Sequence, residues 1–366
     1  MKVGIPKEIK NNEFRVSTVP STVEELVNKG HTVLVQKGAG EGSGIEDESY
    51  IKAGAKMVGA EEAWGADLVC KVKEPMSQEY KFMRKGQVIY TYFHFASNQE
   101  LTMATQKSGC TAIAYETIRN PDGELPLLTP MSEIAGKMAV QEGAKYLERA
   151  MGGRGVLLGG VPGVAPAEVI IIGGGVVGTC AAKVAAGLGA RVTILDVSLK
   201  RLRYLDDILP ANCMTLHSNL DSLRTSVARA DLLIGAVLLE GAKAPTLVNR
   251  QMVSQMKNGS VIVDVAVDQG GCVETTKPTT HENPTFVVDG VLHYCVANMP
   301  GAVSRSSTYA LTNATAPYLI ALAQHGWQKA CQLHQPLKLG VNMHEGDVTN
   351  KAVAETFKLE FKPLGF

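Results

Sequence analysis

Apolar and polar positions alternate in short blocks along this chain, and the block period switches between that of a strand and that of a helix. "MKVGIP" at the start reads as a strand. After a polar loop the segment 21–29 reads as a helix, with Ser21 and Glu24 at capping-box spacing and Gly30 as the stop. "HTVLVQ", "ADLVCKVK", "GQVIYTYFH" and "CTAIAYETI" read as strands and "NQELTMATQKSG" as a helix. Such alternation over the first third of the chain predicts a parallel, doubly wound sheet.

The segment 130–151 predicts one long helix, and the glycine-rich "GGRGVLLGGVPGVAP" comes after it. A second alternating series then runs through "EVIIIG", "RVTILD", "CMTLH", "DLLIGAV", "SVIVDVAVD" and "TFVVD". Near the end, "TYALTNATAPYLIALAQHGWQKACQ" is largely helical, and Pro317 is expected to kink it or mark a boundary. The reading is an α/β protein of two Rossmann-like, doubly wound domains with a cleft between them. The last helix is expected to return to the first domain, which makes that domain discontinuous: 1–128 plus 305–366, around an inserted 129–304.

The second series opens with "VIIIGGGVVG". Gly173, Gly175 and Gly178 satisfy G-x-G-x-x-G, a weak signal by itself. Context strengthens it, because a strand leads in, a helix leads out, and "RVTILD" ends in Asp196 at the spacing of the whole dinucleotide fingerprint. The glycines permit a tight turn and close approach to a pyrophosphate at a helix N-terminus, while Asp196 would accept hydrogen bonds from ribose hydroxyls and repel a 2′-phosphate. NAD is the expected cofactor. Lys200 and Arg201 just beyond Asp196 would tolerate a 2′-phosphate, and FAD is a lesser rival. An α/β turn that binds nothing is the alternative.

Composition narrows the ligand. The chain has 366 residues, 45% of them hydrophobic, enough to bury two cores. Its 36 basic residues balance its 36 acidic ones, so no global field draws it to nucleic acid or anionic lipid, and a small ligand is expected. The seven cysteines are scattered without a Cys-x-x-Cys pair, which favours reduced thiols and a cytoplasmic location. No signal-peptide core or membrane-spanning run is visible in the sequence.

Ligands of open α/β sheets bind beyond the carboxyl ends of strands, which selects polar residues there. Lys73 ends "LVCKVK", His94 ends "VIYTYFH", Asp268 ends "VIVDVAVD", and Arg15 lies in the loop after the first strand. Such a set suits a small oxo or amino acid: Arg15 forks onto a carboxylate, Lys73 polarises a carbonyl or steadies that carboxylate, and His94 moves a proton with Asp268 assisting. Each has a plainer reading. Arg15 is a solvated loop residue, Lys71 is as charged as Lys73, His94 is a satisfied core histidine, and Asp264 competes with Asp268. Tyr92 and Tyr115 read as core.

The blocks "VGIPKEIKNNEFRV", "GAGEGSGI", "KVKEP", "AYETI", "LPLLTPMSEIAGKMA", "GGRGVLLGGVPGVAPAEVIIIGGGVVG", "DQGGC" and "YCVANMPGAV" span nearly the whole chain, and together resemble bacterial alanine dehydrogenase. The resemblance implies a substrate domain made from both chain ends, an inserted NAD domain, and a homohexamer. It implies reversible oxidative deamination of L-alanine by NAD⁺ to pyruvate and ammonium. It makes Arg15 and Lys73 the substrate holders, His94 and Asp268 the catalytic pair, and Ser132, Asn298 and Met299 further NAD contacts. One departure is Ser304, which stands where the family's pattern has proline. The alternative is the soluble NAD-binding component of proton-translocating transhydrogenase; a saccharopine-type dehydrogenase and a non-catalytic NAD sensor are further rivals.

Overall fold

The structure is a computed structural model that describes residues 1–237 and 244–366, apart from the side chains of Asp268 and Gln269. The chain divides into two compact units, 1–131 with 301–366, and 132–300.

The first unit begins with β1 (Lys2–Ile5), β2 (Thr32–Gln36), β3 (Lys56–Val58), β4 (Leu68–Cys70), β5 (Val88–Thr91) and β6 (Thr111–Ala114). They are parallel neighbours in the order β6-β5-β4-β1-β2-β3. The strand order reverses between β1 and β4, which marks a topological switch point at their carboxyl ends. One face buries Val69, Ile89, Phe93, Phe95 and Leu101 in a single cluster with Met343 and Val348 from the C-terminal segment.

The second unit contains β7 (Glu168–Ile172), β8 (Arg191–Asp196), β9 (Cys213–His217), β10 (Leu232–Gly235), β11 (Val261–Asp264), β12 (Thr285–Val288) and β13 (Val291–Tyr294). Its sheet order, β12-β13-β11-β10-β7-β8-β9, repeats the same winding, with β12 antiparallel at one edge. The switch point here lies between β7 and β10. Strand β10 is apolar and fully buried, and β7 is so beyond Glu168, as strands covered on both faces must be. Ile170, Leu195, Leu233 and Ile262 form the core on one face.

After the helix Ser304–His325 the chain adds β14 (Val341–His344) and β15 (Asp347–Val348) to the first sheet, antiparallel beside β6. Their two-residue turn places Glu345 at φ 49° and Gly346 at φ 87°, the positive pair that a tight hairpin of matching twist requires. No described helix is long and apolar enough to cross a membrane.

Several expectations need correction. The helix expected from Ser21 starts at Pro20, where a missing N–H costs nothing, so Ser21 falls inside the first turn and no side chain caps it. The helix Ser304–His325 runs unbroken through Pro317, and the boundary comes at Gly326 instead. The helix expected over 130–151 covers Thr129–Tyr146. Strands β4, β5 and β11 stop at Cys70, Thr91 and Asp264, so Lys73, His94 and Asp268 stand on the loops beyond them rather than on strand ends. The apolar pattern overshoots because Val72, Tyr92 and Phe93 stay buried after the ladder has ended.

Candidate active site

The loops that leave β1 and β4 lie on either side of the first sheet's switch point, and they bring four cations and their partners together. Arg15 is only 2% exposed, so it is not a solvated loop residue. Its Nε donates to Glu13 Oε1 at 2.7 Å and its Nη2 to Glu13 Oε2 at 2.5 Å. The fork expected to receive a ligand carboxylate is thus engaged by a carboxylate of the chain itself. Burial opposes the charge on Glu13, but the hydrogen bonds and charge of Arg15 outweigh it and hold the carboxyl at about 2.

The two lysines after β4 divide their duties. Lys71 is fully buried, with Nζ 3.0 Å from Glu8 and 3.2 Å from Glu79, while the other Glu8 oxygen accepts from the Val72 amide at 2.6 Å. It is a structural cation. Lys10 is matched by Glu74. Lys73, in contrast, forms no ion pair among the described residues, although it stands in the fields of Arg15, Glu13, Lys10 and Glu74. Burial first, and then the Arg15 charge, push its ammonium below the ordinary lysine value. With Arg15 set against Glu13, Lys10 against Glu74 and Lys71 between Glu8 and Glu79, Lys73 is left as the cation of this cluster with no carboxylate in ion-pair reach among the described residues.

His94 lies on the loop after β5 and is exposed, so it is not a core histidine. Its backbone is left-handed, at φ 51° and ψ 42°, a conformation uncommon outside glycine. The imidazole stacks parallel on Tyr92, with centroids 5.7 Å apart and planes 5° apart. Tyr92 is buried and donates its hydroxyl proton to the Leu127 carbonyl, so the platform is fixed. Tyr115 is core, donating to the Lys71 carbonyl at 3.0 Å.

In the second unit the three glycines have three distinct jobs. Gly173 takes φ 102°, and a Cβ there would sit 2.5 Å from the Ala236 carbonyl oxygen. Gly178 opens no space either, since its Cβ would fall 1.9 Å from the Gly173 carbonyl oxygen and force the helix away from the turn. At Gly175 a Cβ would meet nothing within 4 Å, so the absent side chain leaves open room at the N-terminus of the helix Val176–Gly187. A tight turn, an open approach and a close helix contact are what a pyrophosphate needs. Asp196 ends β8 and accepts from the Gly174 amide at 2.7 Å and the Ser198 amide at 2.8 Å, which fixes the carboxylate beside the turn. Arg201 is tied to the Gly174 carbonyl and to Thr179 Oγ1, and lies over the Tyr204 ring.

This architecture has close relatives. Residues 4–135 match the family model described as "Alanine dehydrogenase/PNT, N-terminal domain", and residues 139–351 match its "C-terminal domain" counterpart. The chain belongs to the alanine dehydrogenase/PNT family. A relative named alanine dehydrogenase from Halomonas elongata is 56% identical over 363 residues, covering 99% of this chain and 98% of its own length. A solved structure titled L-alanine dehydrogenase superposes with a TM-score of 0.96 at 53% identity, covering 98% of this chain and 99% of that one. A transhydrogenase from Sinorhizobium meliloti is more distant on both measures, with a TM-score of 0.82 and 28% identity over 96% of this chain and 100% of that one. Within the alanine dehydrogenase/PNT family, the chain is therefore nearer to the dehydrogenase branch.

The remaining family motifs fall in both units. Asp264 is buried, accepting from the amides of Ala266, Cys272 and Val273 and from Thr276 Oγ1 at 2.8 Å. It is committed to shaping the "DQGGC" loop and is not a rival for chemistry. Asp268 lies on the short turn Val265–Gln269, and its side chain is outside the described residues. Ser132 lies in the first turn of the helix Thr129–Tyr146. Asn298 is left-handed at φ 60°, its carbonyl facing His281, and Met299 beside it is buried. Ser304, the departure from the family pattern, donates to the Gly42 carbonyl at 2.6 Å and starts its helix, so a hydrogen bond anchors this segment where the pattern has a rigid ring. Sequence reasoning passed over Glu13, which pins Arg15, and Glu116, which accepts from the His94 amide at 2.6 Å. Both stand in family motifs, "NNEFR" and "AYETI", and their acidic character was the available signal.

Proposed function

We propose that this chain catalyses the reversible, NAD-dependent oxidative deamination of L-alanine to pyruvate and ammonium. The observation that carries the reading is Lys73, a half-buried cation without an ion pair among the described residues, beside a guanidinium already fixed by Glu13. That arrangement leaves one ammonium without a carboxylate partner, placed to meet a substrate carboxylate, with Arg15 lending its field from a fixed position.

The second unit fits a dinucleotide. Gly173, Gly175 and Gly178 would receive the pyrophosphate, with Ser132, Asn298 and Met299 as further contacts. Asp196, held rigid by two amides, would take the ribose hydroxyls and favour NAD over its 2′-phosphorylated form. Bound NAD⁺ supplies the hydride acceptor. Arg15 and Lys73 orient alanine by its carboxylate, which fixes the direction of its Cα–H bond. Loss of hydride from Cα leaves an iminium carbon on the substrate. His94, with Asp268 assisting, takes a proton from water as that water attacks this carbon, and collapse of the carbinolamine releases ammonia. The proposal includes 1–128 with 305–366 as the substrate domain, 129–304 as the NAD domain, and a cytoplasmic homohexamer. The exposed apolar side chains Leu157, Val161, Val164 and Leu188 offer surface for self-association.

The test is NADH formation by purified protein given L-alanine and NAD⁺, beside glycine, serine, glutamate and NADP⁺. Rapid turnover with alanine and NAD⁺ supports the assignment. Tight NADH binding without turnover would overturn it in favour of a transhydrogenase-like nucleotide-binding component.

A further inference from the structure

A strand that ends leaves amides without ladder partners, and β5 ends at Thr91, three residues short of His94. The Tyr92 amide still reaches the Val72 carbonyl, at 3.3 Å. The next two amides instead meet a single carboxylate. Glu116 Oε1 accepts from the His94 amide at 2.6 Å, and both Glu116 oxygens accept from the Phe93 amide, at 3.3 and 3.2 Å. Glu116 sits on the short turn Tyr115–Thr117 after β6, the strand paired with β5 in the register Thr91 to Ala114. The register thus sets the carboxylate opposite the first amides beyond the ladder.

Those two amides flank a reversal of side-chain direction. Phe93 turns inward and stacks on Phe95 at 4.5 Å, whereas His94, through its left-handed backbone, turns its ring outward onto Tyr92. An L residue adopts such a backbone only where its surroundings over-determine it. Ser97 secures the far side, its hydroxyl and amide both donating to the His94 carbonyl. On the near side the carboxylate of Glu116 is the acceptor.

We infer that Glu116 is the positioning residue for the proposed acid–base histidine: it clamps the Phe93 and His94 amides, holds His94 in its left-handed conformation, and so aims the imidazole. It acts through His94 and touches no reacting atom. The inference rests on the proposed role of His94 in proton transfer.

Replacing Glu116 should therefore damage the chemical step and spare binding. Glu116→Ala is expected to lower kcat for alanine about a hundredfold, the scale of an ångström-sized misplacement of a catalytic group. The KM for alanine and the affinity for NADH should stay within about threefold of the parent. Hydrogen exchange at the Phe93 and His94 amides should accelerate. Glu116→Gln retains one oxygen acceptor and should recover kcat to within about tenfold of the parent. In a His94→Ala background, Glu116→Ala should cause no further loss, since its target is gone. A Glu116→Ala kcat within about threefold of the parent, or a further fall in the double variant, would overturn the inference. Should Glu116→Ala fail to fold, Glu116→Gln and Glu116→Asp carry the test, and a Gln variant no better than Asp would refute the clamp. Near-normal turnover of His94→Ala alone would defeat the acid–base reading, and the inference with it, whatever Glu116 does.

Discussion

Substituting Gly175 by alanine should separate nucleotide binding from folding. The φ of −66° and ψ of −163° at Gly175 are open to any L residue, and its Cβ would meet nothing within 4 Å. Two small terms then oppose each other in the fold. Alanine restricts the unfolded chain, worth about 0.4–1 kcal/mol of stability, and is a poorer helix N-cap than glycine by a similar amount. Net stability should change by less than about 1 kcal/mol. Binding has no such compensation. Turn amides reach a phosphate oxygen at about 2.9 Å, whereas a methyl carbon keeps other atoms about 3.5 Å away. Displacing the pyrophosphate by that difference forfeits at least one hydrogen bond to a charged group, about 1.5–3 kcal/mol, or roughly 10- to 150-fold in affinity. Gly178→Ala is the contrast, because its Cβ would lie 1.9 Å from the Gly173 carbonyl oxygen and the turn must shift. It should lose both stability and binding. NADH fluorescence titration and urea unfolding of the two variants read the two quantities. Parental NADH affinity in Gly175→Ala would refute the assignment of this turn to the pyrophosphate.

The remaining predictions concern the charged loops of the first unit. The Glu13 carboxyl drops from 4.5 to about 2 on folding, so its contribution is complete above 4.5 and disappears as pH falls towards 2. It amounts to about 3 kcal/mol, and the stability gap between the parent and Glu13→Gln in urea unfolding should narrow across that window. A gap independent of pH would contradict the Arg15 pairing. Lys71→Met strands Glu8 and Glu79 in the interior and should cost about 3–5 kcal/mol, seen as an earlier unfolding midpoint. Lys73→Met should leave that midpoint near the parent's and raise the KM for both alanine and pyruvate at least about tenfold, the loss of one charged contact. Equal effects of the two lysine changes on stability and KM would refute their division of labour.

Both sheets were legible because each records its winding locally, in apolar runs of strand length separated by helical ones. The glycine turn was legible for the same reason, since Gly173, Gly175, Gly178 and Asp196 lie within one strand–helix–strand unit. Strand ends were not, because burial continues past the last ladder hydrogen bond, as Val72 and Phe93 demonstrate. Ser21 misled because the Pro20 beside it fixes the helix start more firmly than a hydroxyl does. Tertiary partnerships were the least visible. Lys71 and Lys73 are equivalent in the sequence and opposite in the fold, since only one meets Glu8 and Glu79. Glu116 reaches the His94 amide across two neighbouring strands, a contact set by register and not by spacing.

The two units share a strand order and differ in the connection that leaves the first strand of each sheet. In the second unit β7 runs through Gly173 to Gly175 straight into the helix Val176–Gly187, and a Cβ at Gly175, the residue before that helix, would meet nothing within 4 Å. Partial positive charge spread over backbone groups suits a pyrophosphate, which is large and needs close approach. In the first unit the loop 6–19 intervenes before the next helix, and that helix starts at Pro20, which has no amide proton to offer. The Thr22 and Val23 amides are both turned to the Val19 carbonyl. This helix start therefore has fewer amides to offer a phosphate, and the loop supplies discrete side-chain charges: Glu8 for Lys71, Lys10 for Glu74, and Glu13 with Arg15. Point charges at fixed positions suit a compact ligand with one carboxylate. One winding thus yields two kinds of site, and the length and chemistry of a single connection decide between an open glycine turn at a helix start and a set of fixed side-chain charges.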